Sequence, residues 1–343
     1  MNIKDVAELS GVSPATVSRF LNKPSSVAEL TAQRIKRVVS LTGYTAARSN
    51  GKVDINKNPM IGIVISSLLN PVFSEIVAGI QQRARHFGYS TVVIDTQYDT
   101  EQELQAVADL IRLRVEGVVM TVAQAKNNQA LAVLRDFQFP YCLLHNQSNE
   151  EEPCVYVDNY QAGRDVANKV VSLGHRTIGM ITGLFLSSDR AKKRHQGFKD
   201  GLNEHGIELN CLLEVEQNKL DSFGEKETNA MKAGNAPTVW FCSNDLLALK
   251  AINALRMLDL DVPADVSVIG FDGMGVGQLV TPTLTTVAVP HFKMGQVAVD
   301  ILFNAKAGSK LSTSLAMEYE LEMNGSLGKA PKLNINEQAL LEN

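Results

Sequence analysis

The sequence predicts an all-α helix-turn-helix head joined to a larger α/β domain made of two parallel-sheet halves. Three observations carry this. Two capped, short apolar-periodic segments meet at a glycine within the first 22 residues. Apolar strands alternate with amphipathic helices from residue 59 onward, and that alternation restarts midway. Charge is also divided. Residues 1–58 hold nine of the 33 Lys and Arg but only four of the 37 Asp and Glu, while the chain as a whole carries a formal charge of -4. A basic head on an acidic body is the pattern of a polyanion-binding module attached to a separate domain.

The chain is 343 residues long with 45% hydrophobic and 20% charged residues, which is ordinary globular usage for two to three domains. No apolar run reaches the ~18–20 residues of a membrane span, and MNIKDVAELSG does not read as a secretory signal. Cys142, Cys154, Cys211 and Cys242 lie far apart without a CxxC, and the six histidines show no HExxH. The expectation is a cytoplasmic, reduced protein without metal or cofactor.

In the head, Asn2 is placed to cap a helix whose apolar face is Ile3, Val6, Ala7 and Leu9, ending at Gly11. Ser13 is a second N-cap with Pro14 at the first helical position, and Ala15 to Leu21 continue the helix. Val6, Leu9, Val12, Val17 and Leu21 form the predicted core, which turns Thr16, Ser18, Arg19 and Asn22 outward. A third helix over about 29–41 adds Leu30, Ile35, Val38, Val39 and Leu41. A helix with outward Arg, Thr and Ser suits the major groove, where Arg forks onto guanine and hydroxyls meet base edges or phosphates.

Past residue 58, strands are predicted at 60–66, 91–95, 117–121 and 141–145, with helices at 74–88, 100–113 and 129–137 between them. After VYVDN the cycle resumes with helices at 162–173, 191–205 and 246–258 and the strands TIGMIT, TVWFCS and VSVIGF. Ligands of open α/β sheets bind beyond the carboxyl ends of strands. That rule selects residues 66–73, Asp158–Asn159, Asn244–Asp245 and Asp272, with Arg194 near a helix start. Arg offers planar paired donors and Asp accepts two hydroxyl hydrogens, a combination suited to a polyol. Asn70, Phe73 and Arg190 are further candidates, Phe73 as a face for a sugar ring or as ordinary core. DRAKKR is a basic cluster that could clamp a phosphate or carboxylate of a ligand, although a solvated helix face also accounts for Lys192 and Lys193, and Trp240 reads as core. GFDGMGVG fails as a dinucleotide loop because no helix evidently opens at Gly277.

IKDVAELSGVSPATVSRFLN, followed by a helix ending in TGY, resembles the N-terminus of the lac repressor (LacI/GalR) family of bacterial transcription factors. The likeness continues to about residue 323 through NPVFSEIVAGI, VYVDNYQAG, LGHRTIGMITG, RHQGF, PTVWFCSND, VPADVSVIGFD and PTLTTVAVP. It implies a DNA-binding domain at 1–44, a hinge at 45–58, and an effector-binding and dimerisation domain at 59–323 with the fold of periplasmic sugar-binding proteins. Its first subdomain would take about 59–158 and 289–318, its second about 159–288, with a polar tail at 324–343.

The resemblance assigns operator reading to Pro14, Ala15, Thr16, Ser18, Arg19 and Asn22, and effector binding to Asn70, Phe73, Asp158, Arg190, Arg194, Asn244, Asp245 and Asp272. Pro14 and Ala15 fall on the variable positions, so contacts there would be apolar, as to a thymine methyl. One stretch departs from the pattern. Where the family has Pro-Asn and then a hinge helix with a minor-groove leucine, this chain reads Thr45 to Val53, with Val53 in the leucine's place and Gly51 inside the helix. A shortened minor-groove wedge and a plain linker both fit.

The implied function is a dimeric transcriptional regulator, usually a repressor, controlled by a small molecule. A free sugar, sugar acid, sugar phosphate or nucleoside all suit an Arg-plus-Asp site, and inducer and corepressor roles are equally open. The alternatives are a solute-binding protein, which would carry a signal peptide and no basic head, and a sugar-converting enzyme, for which no catalytic order of residues is evident.

Overall fold

A computed structural model of the chain describes residues 3–42, 44, 59–147, 152–216, 223–232, 235–306 and 314–331. The hinge expected at 45–58, Val53 included, the Asn2 cap and residues 332–343 of the predicted tail lie outside the described residues.

The head begins with α1 (Ile3–Leu9) and α2 (Pro14–Asn22). Ser13 caps α2 by accepting from the Thr16 amide, and Pro14 opens the helix where a missing N–H costs nothing. After a short 3₁₀ turn at Pro24–Ser26, α3 (Glu29–Thr42) completes the three-helix core. Val6, Ala7, Val17, Ile35 and Val38 are buried at its centre. Leu30 is not part of that core. It is 77% exposed.

The described residues beyond the head supply β1 (Met60–Ile65), α4 (Pro71–His86), β2 (Ser90–Asp95), α5 (Thr100–Arg112), β3 (Val118–Met120), α6 (Gln129–Asp136), β4 (Tyr141–Leu144) and β5 (Cys154–Tyr156). Then follow α7 (Asn159–Ser172), β6 (Ile178–Gly183), α8 (Asp189–Asn203), β7 (Cys211–Val215), α9 (Glu225–Lys232), β8 (Val239–Cys242), α10 (Asp245–Met257), β9 (Ser267–Asp272), β10 (Thr285–Ala288), α11 (His291–Lys306), β11 (Ser314–Ala316) and β12 (Glu320–Glu322).

Two units result. The first consists of Met1–Leu68, Phe73–Val155 and Phe292–Leu315, the second of Leu69–Val72, Tyr156–His291 and Ala316–Asn343. The first sheet has the order β11-β5-β4-β3-β1-β2, the second β12-β10-β9-β8-β6-β7. Pairing is parallel from β2 to β5 and from β7 to β10, with Ile63 opposite Val93 and Val119 in the first sheet. Strands covered on both faces read as unbroken apolar runs. MIGIVI and VWFC do so, and Trp240 is completely buried on β8.

The expected boundaries shift by a few residues. The chain passes between units after Val155 and after His291, where 158 and 288 were expected, because β5 already ends at Tyr156 and His291 is held to the backbone of Asp272. The tail does not start at 324. Ser326 and Leu327 are buried in the second unit, and the Ser326 hydroxyl donates to the Val268 carbonyl. Within the second unit α7 and α8 touch backbone to backbone. A Cβ on Gly197 would lie 1.9 Å from the Tyr160 carbonyl oxygen, so only glycine permits that approach.

Candidate DNA-reading face and effector site

On α2 the residues predicted to read DNA lie on one side. Pro14, Ala15, Arg19 and Asn22 are exposed, and Thr16 and Ser18 half-buried. The Thr16 hydroxyl lies 2.9 Å from that of Ser13, and the Asn22 amide donates to the Ser18 carbonyl at 2.9 Å. These local bonds fix the polar side chains while Val17 anchors the opposite face in the core.

In the second unit, Arg194 organises a buried polar cluster beyond the carboxyl ends of the strands. It sits one turn into α8, whose N-terminus is capped by Ser188. Its Nε donates to Asn159 Oδ1 at 2.7 Å and its Nη1 to the Ser243 carbonyl. The guanidinium lies flat over Phe271, 3.4 Å from Cζ to the ring centre, and 3.7 Å from an Asp272 carboxylate oxygen. Arg194 and Asp272 are both more than nine-tenths buried. Asp272 holds φ +119°, a backbone region unusual for a residue with a side chain. His291 Nε2 donates to its carbonyl at 3.0 Å. Burial lowers the His291 pKa to about 3; the Asp272 carbonyl opposes this and the Arg194 charge adds to it, so the ring is neutral at ordinary pH.

Asp245 and Asn244 occupy a deeper position than the sequence suggested. The Asp245 carboxylate accepts from the Met274 amide at 2.7 Å and from the Thr286 hydroxyl at 2.6 Å, and none of its surface is exposed. Burial raises its pKa to about 6, against these hydrogen bonds and Arg194, which lower it. Asn244 caps α10 by accepting from the Leu247 amide at 2.8 Å. Asp245 therefore holds the loop that follows Asp272, while Asn244 fixes the start of α10. Asp158 is exposed and caps α7 through the Gln161 amide at 2.9 Å. Arg190 is buried beside Asp189, 3.2 Å away. Asn70 accepts from the Val72 amide at 3.1 Å.

In the first unit Phe73 is buried and meets the His145 ring edge-on, the centroids 6.5 Å apart. Sequence reasoning did not name Ser243, Phe271 or His291 as parts of the cluster. It reached Asn159 only as the neighbour of Asp158. No group of three or more metal-binding side chains occurs among the described residues, and no helix among them is long and apolar enough to cross a membrane.

A DNA-reading three-helix head followed by a two-sheet domain with a buried Arg–Asp cluster defines a ligand-responsive DNA-binding regulator. Residues 2–46 match bacterial regulatory proteins of the lacI family, and residues 58–316 match the periplasmic binding proteins and sugar binding domain of the LacI family. The chain belongs to the lacI family and is a transcriptional regulator of the repressor type with an effector-binding domain.

Among its relatives, the HTH-type transcriptional regulator DegA of Bacillus subtilis is 31% identical, over 85% of this chain and 88% of its own length. The repressor CytR of Escherichia coli K12 is 29% identical, over 96% of this chain and 97% of its own. The structure is similar to that of the lac repressor dimer bound to operator and the anti-inducer ONPF, with a TM-score of 0.72 and 27% identity, covering 95% of this chain and 98% of that one.

Proposed function

We propose that the protein is a homodimeric repressor acting on the bacterial chromosome in the cytoplasm. Its two heads read a near-palindromic operator, since two-fold protein symmetry matches half-site symmetry. Arg19 supplies a forked contact, Thr16, Ser18 and Asn22 supply hydrogen bonds, and Pro14 and Ala15 supply apolar contacts, with Val53 meeting the minor groove. The effector is a carbohydrate or a close relative of one, bound without turnover.

One observation carries the effector reading. The Arg194 guanidinium is locked by Asn159, the Ser243 carbonyl and the Phe271 face, with the Asp272 carboxylate beside it. Such a pair presents fixed donors and a fixed acceptor, which match neighbouring hydroxyls without a reordering cost. Asn70, Asp158 and Arg190 extend the contact surface of the second unit, Asn244 fixes the start of α10, and Asp245 supports the Asp272 loop from beneath. Binding changes operator affinity only to the extent that the effector prefers one conformation of the dimer.

The test has two stages. Selection of genomic fragments by the full-length protein, at about 0.1 M salt because phosphate contacts are salt-dependent, should enrich one palindromic motif. Calorimetry with sugars, sugar acids, sugar phosphates and nucleosides should then find a binder whose heat vanishes in Arg194→Ala. Heat that persists in that variant removes Arg194 from the site, and conversion of the compound during titration would replace the repressor reading with an enzymatic one.

A further inference from the structure

The head does not hang free of the first unit; it is seated on the ends of two helices. Arg37 of α3 pairs with Asp136 at the end of α6, 3.2 Å apart. Arg112 at the end of α5 donates to the Ser40 carbonyl at 3.2 Å, and Arg114 just beyond it lies 3.9 Å from Asp5 of α1. Phe137, the residue after α6, packs against the head's own apolar cluster of Val6, Ala7, Val17, Ile35 and Val38. A cleft of about 560 Å³ is left open between Glu8–Gly11 with Arg34 on one side and Arg135 with Gln138 on the other.

The seat uses α1 and α3 and leaves α2 uncovered, with Pro14, Ala15, Arg19 and Asn22 exposed while the head is docked. The docked head can therefore enter a groove without first letting go. At their opposite ends α5 and α6 are tied together. Fully buried Glu103, in the first turn of α5, accepts from the Asn128 side chain at 2.7 Å and from the Ala123 amide at 2.6 Å, and Asn128 caps α6. That tie lies beyond the carboxyl ends of β2 and β3, the edge where ligands of such sheets bind. The seat lies at the other edge.

We propose that Asp136 and Phe137 form a positioning seat that holds the head in its operator-reading place, and that α5 and α6, joined through Glu103, are the struts carrying displacements of the ligand-side loops to it. Two seated heads meet two half-sites at a fixed spacing, so the second head binds at high effective concentration. An unseated head still reads one half-site but loses this advantage. The argument rests on the dimer proposed above.

The experiment uses full-length protein, the palindromic fragment enriched from genomic DNA, and the same fragment with one half-site scrambled. Hydrogen exchange at residues 135–139 should be equally slow with and without DNA in the wild type. Asp136→Arg, an exposed substitution that spares the fold, and Phe137→Ser should each speed that exchange. Each should also cut the preference for the full over the half site about tenfold while leaving half-site affinity unchanged. Exchange that rises to the variants' rate when the wild type binds DNA, or a preference unchanged in both variants, overturns the seat. Equal wild-type affinity for the two fragments would refute the dimer, and the exchange comparison would still decide the seat.

Discussion

The guanidinium of Arg194 lies 3.4 Å above the ring of Phe271, and the same side chain ties Asn159 on α7 to the Ser243 carbonyl after β8. Stacking satisfies the flat faces of the ion while its edges donate, which a lysine ammonium cannot reproduce. Arg194→Met should leave the Asn159 and Ser243 oxygens without this donor at a cost of about 1–3 kcal/mol. Thermal melting should fall accordingly, and effector response should disappear while operator binding persists. A normal effector response in this variant would refute the assignment.

Arg19 is exposed on α2 and makes no ion pair among the described residues. Its truncation to alanine should lower specific operator affinity by about 1–3 kcal/mol, the worth of a forked base contact. Binding to scrambled DNA should change far less. Gel-shift titrations on both DNAs at one salt concentration check this, and equal losses on the two would reduce Arg19 to a phosphate contact.

Asp245 titrates near pH 6 in the folded chain against an ordinary 3.8. The folded state therefore holds a proton that the unfolded chain has released, so this group's contribution to stability falls as pH rises through about 4 to 6. The effect is on the order of 2–3 kcal/mol at most. Asp245→Asn keeps an acceptor for the Met274 amide and removes the titration. Its melting temperature relative to wild type should be higher at pH 8 than at pH 5; a pH-independent difference would contradict the cause.

His291 has the opposite sign. Its ring stays neutral to about pH 3 when folded, whereas an unfolded histidine takes up a proton near 6.5. Stability from this group is present above 6.5 and is lost as pH falls toward 3. His291→Gln keeps a donor for the Asp272 carbonyl and should blunt acid unfolding, read by circular dichroism between pH 7 and 4.

Gly197→Ala tests the contact of α7 with α8. A methyl group 1.9 Å from the Tyr160 oxygen must push the helices apart. The expected cost is about 1–3 kcal/mol, with weaker effector binding because Arg194 stands one turn away on the same helix. Unchanged melting and binding would show that the helices adjust freely.

Local signals made the head readable. Ser13, Pro14 and Gly11 each specify a cap or turn through their own backbone chemistry, so α1 and α2 follow from adjacent residues. The doubly covered strands β1 and β8 were legible for the same reason, as apolar runs of strand length. β7 was not recognised, because CLLEV sits at a sheet edge with Cys211 and Leu212 incompletely buried and lacks that signature. In the site, Arg194 and Asp272 stood out by chemistry and position. Phe271 and His291 did not, since an apolar strand residue and a loop histidine become parts of a site only when β9, β10 and α8 are brought together. Asp245 shows the reverse limit: its type suggested a ligand contact, and only tertiary packing turns it toward Thr286 and Met274.

The edge strand β12 pairs Glu322 with Thr286 and Glu320 with Ala288, running against the rest of its sheet. During synthesis β10 thus waits for residues made more than thirty positions later, and until they leave the ribosome its outer edge is an open template for another chain. A shortened transcript ending near residue 313 would encode the whole reading head and the Arg194 cluster yet leave that edge unpaired. Its product should be recovered in inclusion bodies rather than as a working half-protein.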